Sequence, residues 1–151
     1  MVFTSVLSEQ SNKSGGTHLH LIFKLGVHTK STCHTLKEAN QCIHQLTTND
    51  IALAYLYSIG VLMIEDTSLL NSELYSTLEI VLQHVMKNDL KVGGMLIISN
   101  GNPFQLININ GSSFWLSNNF HFQYDVALFN HYVRSADDRI LKKILQLLRK
   151  N

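Results

Sequence analysis

The 151-residue chain has two cysteines, Cys33 and Cys42. Two thiols do not make a disulfide framework, and a reduced intracellular compartment is the default expectation. The formal net charge is +1 with the eight histidines neutral. No global basic field advertises nucleic acid, so any such contact has to come from a local track. No apolar run approaches the roughly 18 residues that a membrane helix needs, and no membrane partner is expected. The opening MVFTSVLSEQ lacks the basic flank and long apolar stretch of a signal peptide. The sequence has no internal repeat, no low-complexity linker and no Gly-x-x-x-x-Gly-Lys-Ser/Thr phosphate loop.

What is present is the composition of one ordinary globular domain, 45% hydrophobic and 15% charged. Residues 2–6, VFTSV, read as a short buried strand, and 8–16, SEQSNKSGG, as a loop. The apolar but irregular 17–27 predicts a short helix. In 35–46, Leu36, Ala39, Ile43 and Leu46 stand at helical spacing. Residues 49–59 predict a second helix with Asn or Asp as its N-cap. GVLMI, 60–64, is unbroken and apolar, the pattern of a strand buried on both faces. Residues 71–88 predict an amphipathic helix whose stripe is Leu70, Leu74, Leu78, Val81, Leu82 and Val85. GGMLIIS, 93–99, is another fully apolar strand. The last segment, 137–150, predicts an amphipathic helix with Asp at its start and Lys or Arg at its end, as the helix dipole favours.

Strand, helix and strand in that order predict an α/β domain of parallel strands with covering helices. Sites in such sheets lie at the carboxyl ends of the strands. Glu65, Asp66, Gly101 and Asn102 are therefore expected along one edge.

An apolar strand ending in two acids, VLMIEDTSLL (61–70), has the shape of a Walker B element, in which one acid holds Mg²⁺ through its water shell and the next polarises the attacking water. The same pattern also describes a plain strand entering a solvated loop, so the neighbouring segments decide. VFTSV is followed by GGTHLHLIFKL, with Thr17, His20, Phe23 and Leu25 in a Gly-Thr-x-x-His-x-x-Phe-x-Leu pattern. GGMLIISNGNPFQL is similar to a Gly-Gly strand ending in Gly-Asp-x-x-Gln-Leu. INGSSFWLS (109–117) and YVRSADD (132–138) follow in order. Over residues 2–150 the chain resembles the helicase core of the Pif-one-like DNA helicases, especially those carried by rolling-circle transposons of the Helitron kind.

The resemblance implies a three-layer RecA-like ATPase lobe with a mostly parallel sheet, part of a 5′→3′ DNA-unwinding motor. It implies Glu65 and Asp66 at the Mg²⁺ and water-polarising positions, Gln105 as the sensor of the γ-phosphate, and Arg134 as the arginine finger. Gly101 and Asn102 stand at the turn beside the nucleotide. Thr4 and His20 fall in segments that border the single-stranded DNA track. ATP and Mg²⁺ are the implied cofactors, single-stranded DNA the implied partner, and nucleus or mitochondrion the implied location.

The departures from that pattern are severe. The phosphate loop and the strand and helix around it are expected to be missing, because the chain starts at a segment downstream of them. Lys13 and Ser14 are followed by glycines rather than preceded by them, and so read as solvated loop residues. The acids are reversed, Glu-Asp for Asp-Glu, and misplacement by about 1 Å can cost around a hundredfold in rate. Asn102 replaces an Asp. The chain stops shortly after Arg134, so a second lobe is not expected. ATP and Mg²⁺ are therefore not expected to bind this chain alone, and DNA is expected to bind weakly. Two alternatives stay open: a helicase cut short, and a non-catalytic module that binds single-stranded DNA or a protein partner at a sheet edge left exposed.

His18, His20, His28, Cys33, His34, Cys42 and His44 crowd into a short stretch. Their spacing does not match a zinc-binding C-x₂-C or H-x₃₋₅-H pair. They read as surface histidines and buried free thiols. Phe114, Trp115 and Phe120 could stack on bases, but read better as an aromatic core behind the last strand.

Overall fold

Among the described residues three parallel strands carry the fold: β1 (Val2–Ser5), β2 (Val61–Glu65) and β3 (Leu96–Ser99), in the order β1-β2-β3. The structure, a computed structural model, describes residues 1–5, 15–26, 35–102, 112–129 and 138–148. The register aligns Thr4, Ile64 and Ser99 in one row, so all three strands end at the same edge.

Helices α1 (Leu19–Phe23), α2 (Thr35–Thr47) and α3 (Asp50–Tyr57) connect β1 to β2, and α4 (Ser72–Met86) connects β2 to β3. The predicted starts are built as caps. Asn49 Oδ1 accepts from the Ala52 amide at 3.0 Å, and Asn71 Oδ1 from the Leu74 amide at 2.7 Å. Two short helices follow β3, α5 (Asn118–Gln123) and the separate amphipathic α6 (Arg139–Leu148). Among the described residues no helix is long and apolar enough to cross a membrane.

Both crossovers step the same way across the sheet. Right-handed connections, the near-universal form, then place their helices on the same face, and α2 does pack on α4. Ala39, Cys42 and Leu46 from α2 meet Leu78, Val81, Leu82 and Val85 from α4 over Leu62 and Ile64 of β2, all buried. The stripe read from the sequence is this contact, with Leu70 buried and Leu74 half-buried.

One expectation needs correction. The apolar runs predicted strands buried on both faces. In the structure β2 alternates buried and half-buried, and on β3 Leu96 is 58% and Ile98 44% exposed. The three-layer expectation is met in its parallel sheet and in the helical layer on one face. On the other face, nothing among the described residues covers these two side chains. An apolar run states that a strand can be covered twice; only the rest of the fold decides whether it is.

The turn into β3, Lys91–Gly94, is tight. Val92 and Gly93 both take left-handed backbone, φ 47° and 65°. A β-carbon on Gly93 would stand 2.6 Å from the Leu82 carbonyl oxygen, so the turn can lie against α4 only because that residue has no side chain.

Candidate functional site

The carboxyl ends of β2 and β3 are tied into one edge by backbone. The Asn100 amide donates to the Ile64 carbonyl at 3.0 Å, extending the ladder one residue past β3. The Asn100 carbonyl then accepts from the Thr67 amide at 3.0 Å and from the Thr67 hydroxyl. Gly101 follows so closely that a β-carbon there would stand 3.0 Å from the Thr67 amide nitrogen and 3.1 Å from the Trp115 ring. Between them Asp66 turns the chain in left-handed conformation, φ 52° and ψ 50°. Asp tolerates that region better than most residues, and strain of this kind gathers at functional edges.

These contacts bring Glu65, Asp66, Gly101 and Asn102 together, as the order of strands and acids predicted. Glu65, Asp66 and Asn102 are half-buried there and Gly101 is exposed. Glu65 is in register with Ser5 of β1. Gln105 and Arg134, the other two expected members, lie outside the described residues, as do Lys13 and Ser14.

The described part of the edge offers acids and an amide but no phosphate cradle. Glu65 and Asp66 have the chemistry to touch a hydrated Mg²⁺, but the sequence supplies no cradle of glycine amides followed by a Lys for the phosphates. Among the described residues no group of three or more His, Cys, Asp or Glu side chains could hold a metal ion directly. Of the crowded His and Cys residues, His28, Cys33 and His34 lie outside the described residues.

Thr4 and His20, which the resemblance led us to expect beside a DNA track, share an unusual property. Thr4 Oγ1 and His20 Nδ1 are both buried without a hydrogen-bond partner. A buried polar atom left unpaired costs stability and marks a place where a ligand could supply the missing bond. His20 stacks on His18, ring centroids 4.8 Å apart. Burial and then the neighbouring His18 push the His20 pKa below its usual value, with Glu38 opposing. A surface groove of about 420 Å³ runs beside α1, lined among others by Thr17, Leu21, Lys24, Asn49, Ile51 and Tyr55.

An aromatic wall backs the edge. Phe114 is fully buried, within 6 Å of Tyr75, Trp115, Phe120 and Tyr124 between ring centroids at 4.7, 5.9, 5.6 and 5.6 Å. The reading of these rings as core holds for Phe114; Trp115 stays half-buried, with an unpaired indole Nε1. Ser99 Oγ donates to the Tyr124 hydroxyl at 3.1 Å, and the Tyr75 hydroxyl to Gln123 at 2.9 Å. Burial raises the pKa of both tyrosines. The wall is pinned to α4 through Glu73. Burial raises the Glu73 pKa, but the Ser112 hydroxyl at 2.8 Å and the nearby backbone donors outweigh it and leave the pKa lowered. Sequence reasoning missed Thr67 and Tyr75. A buried threonine directly after two acids is the one local signal that could have found Thr67.

No protein-family model and no curated protein matches the chain. Solved structures do. Pif1 helicase from Candida albicans superposes with a TM-score of 0.84 and 18% identity, over 98% of this chain and 33% of that chain. The fold is that of part of a Pif1 helicase. Bacteroides Pif1 in complex with ADP-AlF3 and ssDNA gives a TM-score of 0.55 and 18% identity, over 72% of this chain and 24% of that chain. The Bacteroides protein bound to ssDNA gives 0.55 and 17%, over the same shares. This chain thus spans about a third of the Candida Pif1 helicase and a quarter of the Bacteroides one.

Proposed function

We propose that the chain is a RecA-like lobe of a Pif1-type DNA helicase, of the transposon-borne Helitron kind, that retains a DNA-facing edge and has no nucleotide site of its own. The observation that supports it is the meeting of the Glu65-Asp66 turn with the Gly101-Asn102 turn through Thr67 and Asn100, in a fold that follows a Pif1 helicase over 98% of its length. In this reading Glu65 stands where an acid holds Mg²⁺ through water, and Asp66 where one polarises the attacking water. Gln105 and Arg134 take the sensor and arginine-finger positions. The acids are reversed, Asn102 brings no charge, and no phosphate loop is present, so ATP hydrolysis and unwinding are absent from the isolated chain.

Single-stranded DNA is the partner this reading assigns. Bacteroides Pif1 is seen with ssDNA, and Thr4, His20 and the groove beside Lys24 offer unpaired polar atoms, one cation and a ring, Tyr55, on which a base could stack. Such a lobe works where DNA is, in nucleus or mitochondrion. Two measurements test the reading. Calorimetric titration with ATP and Mg²⁺ should give no saturable binding at about millimolar nucleotide, because the anchoring amides and Lys are missing. Fluorescence anisotropy with labelled oligothymidylate should give weak binding. A micromolar ATP isotherm sinks the first half of the proposal, and no DNA binding at low salt sinks the second.

A second reading is favoured by β3. It pairs with β2 alone among the described residues, and its outward Leu96 and Ile98 are exposed. Edge strands with apolar side chains and no charge or proline invite another strand. A protein-binding module working through this edge predicts association of the chain that Ile98→Lys suppresses. A chain that stays monomeric at about 100 μM, by light scattering, speaks against it.

A further inference from the structure

The last helix, α6, has an apolar row that nothing among the described residues covers. Ile140, Ile144 and Leu147 recur at i, i+4 and i+7 with Leu141 beside them, and their exposures run from 42% to 75%. A helix on a globular domain normally turns such a row to the core. Arg139 and Lys143, four positions apart and both exposed, share a second row that flanks the first. The segment RILKKILQLLRK, 139–150, holds five basic residues, no acid and no aromatic. The helix start is prebuilt: Asp138 Oδ1 accepts from the amides of Ile140 and Leu141 at 3.0 and 2.9 Å.

Cations of one sign flanking an uncovered aliphatic row are complementary to a surface that is anionic above and apolar below. We propose that α6 lies on anionic lipid, with Ile140, Leu141, Ile144 and Leu147 in the acyl boundary and Arg139 and Lys143 at the headgroups. This goes beyond the DNA reading and does not rest on it. Nor does it conflict with the lack of a spanning helix among the described residues, since a helix that lies in the interface needs only a short apolar face. DNA would satisfy the cations and leave the aliphatic row in water. A grooved acidic protein is the other surface of this kind, but a groove is best filled by aromatic anchors, and this segment has none.

The test uses the whole chain and sedimentation with vesicles of phosphatidylcholine alone or with roughly 30% phosphatidylserine. Binding to the anionic vesicles at least about tenfold above the neutral ones is expected. Ile144→Asp with Leu147→Asp should abolish it, and Lys143→Glu should weaken it by about tenfold, since each basic residue near such a surface counts separately. All of these sites are exposed, so folding should survive; near-ultraviolet circular dichroism and an unchanged Tm establish that for each variant. Equal binding to both vesicle types, binding to neither, or full binding by the double aspartate variant overturns the proposal. So does loss of vesicle binding to a competing oligothymidylate, which would make the cationic row a nucleic-acid contact. Self-association that the double variant abolishes, without vesicle binding, would make the occupant a second copy and overturn it equally.

Discussion

The carbonyl of Asn100 accepts two hydrogen bonds from one residue, Thr67, through its amide at 3.0 Å and through its hydroxyl. Thr67 is fully buried, so the pair ties the turn after β2 to the end of β3 out of water. Thr67→Val keeps the shape and removes the hydroxyl donor. It should cost about 1–3 kcal/mol, the range for deleting one partner of a buried bond, while Thr67→Ser keeps the donor and costs less. Urea unfolding measures both. Equal loss in the two variants would show that the methyl group, not the hydrogen bond, holds the edge.

Gly93 should be hard to replace. Gly93→Ala puts a methyl group 2.6 Å from the Leu82 carbonyl oxygen, which belongs to a helix and cannot step aside, and does so at φ 65°. A loss of about 2–4 kcal/mol is expected from overpacking and left-handed strain together. Gly60→Ala is the control, since a β-carbon at Gly60 meets nothing within 4 Å; it should fall within about 0.5 kcal/mol of the parent. Similar losses at both positions would mean that the turn before β3 is not packed against α4 as described.

Cys42 should behave as a small core side chain. Burial and the charge of Glu38 push its pKa up to about 11 from an ordinary 9.0. Its Sγ donates to the Lys24 carbonyl at 3.7 Å. The thiolate is the reactive form, so peptide mapping after alkylation at about pH 8 should find Cys42 unmodified in the native chain and modified in urea. The sign for stability follows from the raised value: the folded state holds this proton more tightly. The contribution is complete below pH 9 and is lost as pH rises through about 11. Rapid native alkylation at Cys42 would contradict its buried position.

Much of this was legible in the chain because its signals are local. The 3.6-residue stripe gave α4, the Asn caps sit where polar residues open apolar periodicity, and the strand-helix-strand order gave the parallel sheet and its edge. What was not legible depends on residues far apart in sequence. Tyr75 is buried because Phe114 and Tyr124 come back to meet it from about 40–50 positions away. Leu96 and Ile98 have the same composition as a doubly covered strand, and composition does not say which face receives helices. Asp66 was read by its charge, and its left-handed backbone is visible only once Thr67 and Asn100 are joined. The edge was predicted as a gathering of charges; in the structure it is first a gathering of backbone.

His20 allows the DNA reading to be tested by pH as well as by salt. The track has few cations, Lys24 chief among the described ones, and phosphate affinity comes from Lys and Arg releasing counterions. Oligothymidylate should therefore bind with a Kd no tighter than about 10⁻⁵ M near physiological salt, and more weakly as salt rises. No base preference is expected, because stacking and phosphate contacts carry no base code. Proton uptake by His20 adds a charge, but its pKa is lowered from 6.5, first by burial and then by His18. The tightening should thus appear below pH 6.5 rather than at it, and a bound phosphate, by favouring the charged form, should steepen it. The same lowering acts against the fold: stability present above pH 6.5 is lost as pH falls through the unfolded value towards the folded one, so circular dichroism must accompany each titration point. His20→Gln should flatten the pH response while leaving the salt dependence. A pH response unchanged by His20→Gln would place His20 away from the DNA, and nanomolar binding that survives moderate salt would show a dedicated DNA-binding surface rather than the half-track of one lobe.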